Sequence, residues 1–423
     1  MPHEPIGSCV RSEPVGGRLR PGAPSSARLA SACLRAADAG VRALERLLFP
    51  RVSQNPRRVG VWRVGMIGDT LAALPALAAV RASHPDATLV LFTSPGPDGA
   101  PGARELVDHR SGLGAFELVR WSHEELASGG VRGLIARLRA ARVDRMYVLP
   151  QDRSTPRAEV KHLVALFAAR MRGVRGSGLA SAECLPRSLR TAHDRWSLPP
   201  GEAQRLLALV ERCGARSAGA DVDVFGPREA ERARALVQSL APNGEALLCL
   251  GPGAKLAHKR WSPAAFGRVA RAWTDAGGVA VTLGAPHERA LALAVEQAAG
   301  VRVASLAGEL DLRESAALLA RASAVLSNDT GTMHLAATVG APLVAVFAGV
   351  DREGAWHPWS RASAGAVRVL RHPTACSPCR AADCSVRVGG EPACLAGVTS
   401  DSALAALLAV ARVRPTERAA RAA

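Results

Sequence analysis

The amino-acid sequence predicts an α/β protein with two doubly wound domains. Short apolar runs alternate with helical patterns along residues 59–149, and the alternation begins again at residue 246 and continues to residue 349. This alternation is typical of parallel strands that are joined by crossover helices. Glycines and polar residues follow several of the apolar runs, at the strand ends where open parallel sheets bind ligands.

The N-terminal segment is expected to form a leader and a helix outside both sheets. Residues 1–25 are rich in Gly, Pro, Ser and Arg, which predicts a disordered leader. Residues 26–49 predict an amphipathic helix with arginines on one face and, on the other, Leu29, Cys33, Ala37, Val41, Leu44 and Leu48. Two alternatives are open for this apolar face: it packs on the adjoining domain, or it lies peripherally on an anionic inner membrane. Residues 1–55 therefore stand apart from the folded domains.

The first folded domain is predicted at residues 56–225. Its strand-like runs, at residues 59–64, 87–92 and 144–149, are separated by helical patterns such as TLAALPALAAVRA and RGLIARLRAARV. A polar connection near residue 220 ends it. The second domain, residues 226–423, repeats the alternation with ALLCLGPG, VAVTLG, AVLSN and LVAVFAG as strands. Because G-x-G-x-x-G is absent, a dehydrogenase with the usual dinucleotide fingerprint is disfavoured.

The composition and charge of the chain indicate which kinds of partner it can bind. The chain has 423 residues, 48% of them hydrophobic, and lacks an apolar segment long enough to span a bilayer, which predicts a soluble, cytoplasmic protein. Lys and Arg number 54 against 37 Asp and Glu, a net charge of +17. The arginines are scattered and aromatic residues make up only 4%, so nucleic acid is disfavoured, whereas anionic substrates and anionic lipid fit the charge.

Residues that are able to take part in catalysis or ligand binding follow four of the predicted strands. Asp69 follows the first strand in VGMIGDTLAALP, and Lys255 and Lys259 follow another in GPGAKLAHKRW. Glu288 follows a third, in VTLGAPHERA. The fourth, SNDTGTMHLAATVGAP at residues 327–342, joins two apolar runs by a polar turn and a short helix, whose N-terminus suits a phosphate. For each carboxylate the plain alternative is a helix cap or a solvated first-turn residue, and for the lysines a solvated charge cluster.

These motifs, in their order along the chain, resemble those of glycosyltransferase family nine, the ADP-heptose heptosyltransferases of bacterial lipopolysaccharide assembly and their relatives. The resemblance covers roughly residues 59–410 and rests on IGD followed by LPAL, then KRWSPAAF, GAPHE, DTGTMHLAA and the Trp356-His357-Pro358 segment. It implies the GT-B fold, in which two Rossmann-like domains face a central cleft. The N-terminal domain would bind the acceptor and the C-terminal domain the nucleotide-sugar.

The resemblance also implies roles for single residues. Asp69 matches the general base and Lys259 the diphosphate-binding lysine, with Lys255 beside it among the donor-binding residues. Glu288 matches the acid that holds the nucleotide ribose, and Asp329 the residue that contacts the donor sugar. The backbone of Thr330, Gly331 and Thr332 would hold the diphosphate, and His334 would line the same site. The implied reaction is an inverting transfer of heptose or a related sugar to a glycan or glycolipid acceptor, with no cofactor for catalysis.

Alternatives to this function are a GT-B transferase with another nucleotide-sugar donor and a non-catalytic nucleotide-binding scaffold on the same fold. A separate motif lies near the C-terminus, where TACSPCRAADC and a later cysteine bring together Cys376, Cys379, Cys384 and Cys394. Four thiolates at such spacing predict a structural zinc or iron site, with reduced, unliganded thiols as the alternative.

Overall fold

Each of the two sets of apolar runs forms its own parallel sheet in its own unit of the chain. The computed structural model describes residues 25–94, 103–107, 113–120, 130–152, 154–179, 201–216, 222–351, 354–360, 366–379 and 381–411. The first unit comprises the described parts of residues 21–224 and 353–359, and the second unit those of residues 225–352 and 360–423. The predicted disordered leader, up to residue 24, lies outside the described residues.

The sheet of the first unit has five parallel strands, β1 (Arg58–Trp62), β2 (Thr88–Thr93), β3 (Phe116–Arg120), β4 (Arg145–Val148) and β5 (Val174–Arg175). Their order across the sheet is β3-β2-β1-β4-β5. The chain therefore winds outward from β1 to β3 and then crosses to β4 on the other side of β1. The winding direction reverses between β1 and β4, and the carboxyl ends of these two strands form the switch point where ligands of such sheets bind.

Helices cover this sheet because right-handed crossovers place them on its two faces. The helices of the first unit are α1 (Ser25–Leu48), α2 (Ile67–Ser83), α3 (Val131–Ala140), α4 (Pro156–Ala168) and α5 (Glu202–Arg212). Helices α2 and α5 pack together. Helices α1, α3 and α4 pack next to one another and share a core with the strands, to which Val41, Leu138, Leu163, Val90 and Val148 contribute.

The apolar face of α1 packs on the first unit. Val41 and Phe49 are buried in the core, and Leu44 and Leu48 pack against it. Glu45 is also buried, where its Oε2 accepts a hydrogen bond from the backbone N–H of Ser177 at 2.6 Å. The alternative of a membrane under this apolar face is therefore wrong for this half of the helix, because the same side chains already fill a protein core. The side chains of residues 25–31 lie outside the described residues.

The sheet of the second unit has six parallel strands, β6 (Leu247–Gly251), β7 (Val279–Thr282), β8 (Ala304–Ser305), β9 (Ala324–Asn328), β10 (Leu343–Phe347) and β11 (Val367–Arg371). Their order is β11-β10-β9-β6-β7-β8. Here the winding reverses between β6 and β9. A short antiparallel pair, β12 (Arg387–Val388) and β13 (Glu391–Pro392), follows later in the chain.

Helices of the second unit begin with the capping chemistry that their sequences carry. Ser262 caps the helix Pro263–Asp275 (α7) ahead of Pro263, and Asp311 caps the helix Leu312–Arg321 (α9), each by accepting a hydrogen bond from a first-turn backbone N–H. Trp261 and Trp273 lie in the core with side chains of the last helix. The helices are α6 (Pro227–Leu240), α7 (Pro263–Asp275), α8 (Arg289–Ala299), α9 (Leu312–Arg321), α10 (Gly331–Thr338), α11 (Ala393–Ala396) and α12 (Ser400–Val410).

Candidate functional site

The switch point of the second unit is held together by Asn328, the last residue of β9. Its side-chain nitrogen Nδ2 donates to the carbonyl of Pro252, just beyond β6, at 2.8 Å. Its Oδ1 accepts from the backbone N–H of Trp261 at 3.0 Å. Asn328 is fully buried, so these bonds are strong constraints on the loops they join. One amide thus fixes the ends of two neighbouring strands and the loop that carries Lys259.

Lys259 lies between two carboxylates. Its Nζ is 2.7 Å from Oδ2 of Asp329 and 2.7 Å from Oδ2 of Asp351. Burial alone would lower the pKa of Lys259, but the adjacent Asp329 and Asp351 hold this pKa above its ordinary value, and the lysine stays charged. The cluster therefore holds one cation and two carboxylates that are almost shielded from water.

Asp329 also opens the turn that leads into α10. Thr330 takes the N-cap position in an extended conformation, and its side chain makes no capping hydrogen bond to the first turn of this helix. The backbone N–H groups of the first turn, from Gly331 onward, therefore retain their capacity to bind an anion, and the helix dipole favours one there. The structure brings together Asp329, Thr330, Gly331 and Thr332 at this helix end, whereas the side chain of His334 is buried one turn further along.

Glu288 reaches from the end of β7 towards the end of β6. Its Oε2 accepts from the backbone N–H of Ala285 at 2.8 Å, which caps the short turn that Glu288 closes. The carboxylate covers Gly253, since a Cβ on that glycine would lie only 1.8 Å from Oε1 of Glu288. The structure thus shows the capping alternative and, in addition, a close approach of the Glu288 carboxylate to the β6 loop, from which a Cβ at residue 253 would displace it. Lys255, two residues beyond Gly253, is exposed.

Asp69 occupies the switch point of the first unit, on the loop and helix that follow β1. Its Oδ2 accepts from the backbone N–H of Met66 at 2.8 Å, so Asp69 does cap α2. Its Oδ1 lies 3.3 Å from Nη2 of Arg63, and 22% of the side chain is exposed. Only Oδ2 caps the helix, so the carboxylate of Asp69 is still accessible to solvent.

A buried network of ion pairs lies next to Asp69. Arg63, whose side chain is 1% exposed, also lies 3.2 Å from Oε1 of Glu202 and donates to the carbonyl of Pro150 beyond β4. Arg205 donates from Nε to Glu202 at 2.8 Å and from Nη2 to the same carbonyl at 2.6 Å. Although burial alone would raise the pKa of Glu202, Arg205 and Arg63 hold this pKa below its ordinary value. The network ties the ends of β1 and β4 to α5.

The Trp356-His357-Pro358 segment returns to the first unit. The carbonyl of Ala355, just before it, accepts from the backbone N–H of Glu202 at 2.7 Å, at the start of α5. Burial lowers the pKa of His357, although a hydrogen bond to the Pro358 carbonyl opposes this shift. The segment therefore contacts the helix that supplies Glu202 to the network under Asp69.

The four cysteines do not form a metal-binding group. Among the residues that the structure describes, no three or more Cys, His, Asp or Glu side chains are arranged to hold a metal ion. Cys376 contacts the hydroxyl of Thr374, and Cys384 donates to the carbonyl of Val386 at 3.2 Å. Burial raises the pKa of the Cys394 thiol. The predicted zinc or iron site at Cys376, Cys379, Cys384 and Cys394 is therefore not supported, and none of these four cysteines forms a disulfide.

Sequence reasoning missed several residues of both switch points: Arg63, Glu202, Arg205, Asn328 and Asp351. Asn328 directly precedes Asp329 in the SNDTGTMHLAATVGAP segment. A polar residue at the end of an apolar strand could therefore have indicated its role in the site. Asp351 lies 92 positions beyond Lys259, and no local pattern marks it as a partner. Glu202 and Arg205 lie in the first turns of α5, and nothing in the local sequence distinguishes them from charged residues that face solvent.

The two parallel α/β units, each with polar side chains at a switch point, have the GT-B architecture. Residues 206–388 match the family described as "Glycosyltransferase family 9 (heptosyltransferase)". This match confirms the resemblance of the motifs, and the chain is a glycosyltransferase. Among the described residues, no helix is both long and apolar enough to cross a bilayer.

Curated and solved relatives agree with this assignment. Lipopolysaccharide heptosyltransferase 2 of Escherichia coli is 26% identical over 298 residues, which cover 66% of this chain and 80% of the relative. The structure of E. coli ADP-heptose lps heptosyltransferase II is similar in fold, with a TM-score of 0.57 and 21% identity over 84% of this chain and 98% of that one. A family 9 glycosyl transferase from Veillonella parvula has a TM-score of 0.61 and 16% identity over 85% and 99%.

Proposed function

We propose that this chain transfers a heptose or a related sugar from a nucleotide-sugar, ADP-heptose being the expected donor, to a lipopolysaccharide-type glycan with inversion at the anomeric carbon. The observation that carries the proposal is Lys259, held by Asp329 and Asp351 beside the uncapped start of α10. The names of the Escherichia coli relatives, which include heptosyltransferase and ADP-heptose, support the donor.

The donor diphosphate is expected to bind at Lys259. With all groups ionised, Lys259 and its two carboxylates leave one negative charge in excess, so a diphosphate is repelled unless the lysine turns to it. We infer that Lys259 exchanges the carboxylate of Asp329 for a phosphate oxygen when the donor arrives. The released Asp329 then accepts hydrogen bonds from the hydroxyls of the donor sugar, and the N–H groups from Gly331 onward complete the phosphate site.

Glu288 is expected to bind the ribose of the nucleotide. Its carboxylate already spans the loops after β6 and β7, and a carboxylate accepts hydrogen bonds from the two hydroxyls of a ribose without a change of charge. Lys255 is exposed on the same β6 loop, where it adds positive charge for the approaching donor.

Asp69 is the proposed general base. Its carboxylate accepts the proton of an acceptor hydroxyl while that oxygen forms a bond to the anomeric carbon. The bond between this carbon and the diphosphate oxygen breaks at the same time, and the electron pair leaves with the diphosphate. Lys259 and the N-terminus of α10 stabilise the growing charge. The sugar is attacked from the face opposite the leaving group, which gives inversion.

Mass spectrometry of the products formed from several nucleotide-sugars and lipid-linked glycans tests the proposed reaction. Asp69→Asn tests the base. Asparagine retains an oxygen that can accept from Met66 N–H, so the cap of α2 survives, but it cannot take a proton. Turnover should fall by roughly two orders of magnitude or more, with donor affinity unchanged. Asp86→Asn, at an exposed aspartate of the same unit, is the control. Normal turnover of Asp69→Asn would remove Asp69 from the mechanism.

A further inference from the structure

The side chain of Arg260 is held at the carboxyl end of β6. Its Nε donates to the carbonyl of Ala254, on the loop after β6, at 2.8 Å. The backbone on either side is also fixed, because Lys259 pairs with two carboxylates and the backbone N–H of Trp261 donates to Asn328 at 3.0 Å. Arg260 is therefore a cation with a defined position at the switch point of the second unit.

Among the residues that the structure describes, the Arg260 guanidinium hydrogen-bonds to Ala254 alone and forms no ion pair. A guanidinium carries N–H donors on Nε, Nη1 and Nη2, and here only Nε contacts an acceptor of the described chain. Arg260 is partly buried, so water screens its charge less than that of the exposed Lys255 on the same loop. The terminal nitrogens of Arg260 are thus suited to bind an anion.

The charged groups that are proposed to bind the donor carry an excess of negative charge. Lys259 is accompanied by two carboxylates, and Glu288 adds a further carboxylate from the loop after β7. A nucleoside diphosphate is itself an anion, so these groups together repel it. The positive end of α10 offsets only part of this repulsion, because a helix dipole is equivalent to about half a charge. A second cation near the phosphates would offset the remainder, and Arg260 can supply it.

The contact with Ala254 determines which phosphate Arg260 can reach. Ala254 directly follows Gly253, the residue that the Glu288 carboxylate covers, and Glu288 is the proposed partner of the ribose. In a nucleotide-sugar, the phosphate bonded to the ribose comes next, and the phosphate bonded to the donor sugar lies beyond it. Arg260 is therefore beside the position of the ribose-linked phosphate, whereas Lys259, near the start of α10, is at the position of the sugar-linked one.

Two other arginines at this end of the sheet bind different carbonyls. Arg289 donates from Nε to the carbonyl of Ala307 at 3.0 Å, beyond β8. Arg371, at the end of β11, donates from Nη2 to the carbonyl of Asp351 at 3.2 Å. Strands β8 and β11 are the two edges of the sheet, while β6 and β9 form the switch point. Of these three arginines, only Arg260 is bound to the loop of a switch-point strand.

We propose that Arg260 binds the ribose-linked phosphate of the nucleotide-sugar, so that each phosphate of the donor has its own cation. The inference rests on the proposed donor and adds a residue to its binding site. Negative charge grows on the sugar-linked phosphate as its bond to the sugar breaks, so Lys259 stabilises the leaving group and Arg260 mainly holds the nucleotide. Removal of the Arg260 guanidinium should therefore weaken nucleotide affinity more than it slows turnover of bound substrates.

Calorimetric titration of the full-length chain with adenosine, AMP and ADP tests this inference without sugar transfer. Arg260→Met should lower the affinity for AMP and for ADP by about tenfold or more, because hydrogen bonds between charged groups are lost, and should leave the affinity for adenosine unchanged. Arg260→Lys retains a cation and should show a smaller loss. Arg302→Met, which removes an exposed cation of the same unit, is the control and should leave all three affinities unchanged.

The three ligands distinguish the possible outcomes. Equal weakening of adenosine, AMP and ADP binding by Arg260→Met would show that Arg260 only supports the loop after β6, and would overturn the inference, as would unchanged affinity for AMP. If the unmodified chain bound ADP no more tightly than adenosine, the proposed diphosphate site itself would be wrong, and the inference with it. Thermal unfolding shows whether each variant is folded. If Arg260→Met is not, Arg260→Gln, which retains an N–H donor for the Ala254 carbonyl but no charge, gives the same comparison.

Discussion

Replacing Lys259 by methionine removes the charge that separates Asp329 and Asp351 while keeping most of the side-chain volume. Both carboxylate oxygens are 2.7 Å from Nζ, so they lie no further apart than twice that distance. Two like charges about 5 Å apart repel by about 3 kcal/mol at an effective dielectric constant of about 20. Each carboxylate is 8% exposed, so water relieves little of this repulsion. We therefore expect the free energy of unfolding of Lys259→Met to fall by about 2–4 kcal/mol at neutral pH.

The pH dependence of this loss has a defined sign. Repulsion favours a proton on the carboxylate pair in the folded variant, so the folded state binds more protons than the unfolded state at mildly acidic pH. Its stability should then rise as the pH falls from about 7 towards 5, relative to the unmodified chain. Adding Asp351→Asn to Lys259→Met removes one of the two charges and should recover most of the lost stability at neutral pH.

Urea unfolding at pH 7 and pH 5, followed by hydrogen exchange of peptides from β6 and β9, measures the effect in the unit that carries the cluster. Lys259→Arg, which retains a cation, is the control and should be close to the unmodified chain. The reasoning is refuted if Lys259→Met is as stable as Lys259→Arg at pH 7. It is also refuted if Asp351→Asn brings no recovery to the methionine variant.

Two further predictions concern other parts of the molecule. Gly253→Ala should lower the affinity for ADP about tenfold in calorimetric titration, because the added Cβ would displace the Glu288 carboxylate. The loss of hydrogen bonds to a charged group costs about 1.5–3 kcal/mol. Gly133→Ala, where a Cβ meets nothing within 4 Å, is its control, and unchanged affinity of Gly253→Ala would exclude Glu288 from the nucleotide site. Burial, aided by Arg145, lowers the pKa of His84 to about 4, so the folded state disfavours the proton that unfolded histidine binds near pH 6.5. The free energy of unfolding should therefore decrease by about 1–2 kcal/mol as the pH falls from about 6.5 to about 4, after allowance for partial solvent exposure. In urea unfolding, the free energy of unfolding of His84→Gln should depend less on pH over this range.

The architecture and most of the donor-site residues could be predicted from the sequence, because local patterns encode them. Hydrophobic periodicity marks each parallel strand and helix, and the switch points follow once two doubly wound sheets are assumed. The structure accordingly gathers Lys259, Glu288 and the Asp329 turn at the carboxyl ends of adjacent strands. Their roles in the reaction stay predictions, since they rest on the family resemblance and on the proposed chemistry.

The contacts that join these residues could be decided only by the tertiary structure. Asp351 reaches Lys259, and Glu202 reaches Arg63, across more than ninety residues in each case, and sequence spacing carries no information about such distances. Likewise, the amphipathic pattern of α1 predicts a buried apolar face but not what buries it. The packing of Val41 and Phe49 on the first unit decides that question, and Arg35 and Arg46 are exposed on the other side of the helix. The hydrophobic periodicity of a helix or strand indicates which of its faces is buried. Which other element covers that face depends on the packing of the whole chain.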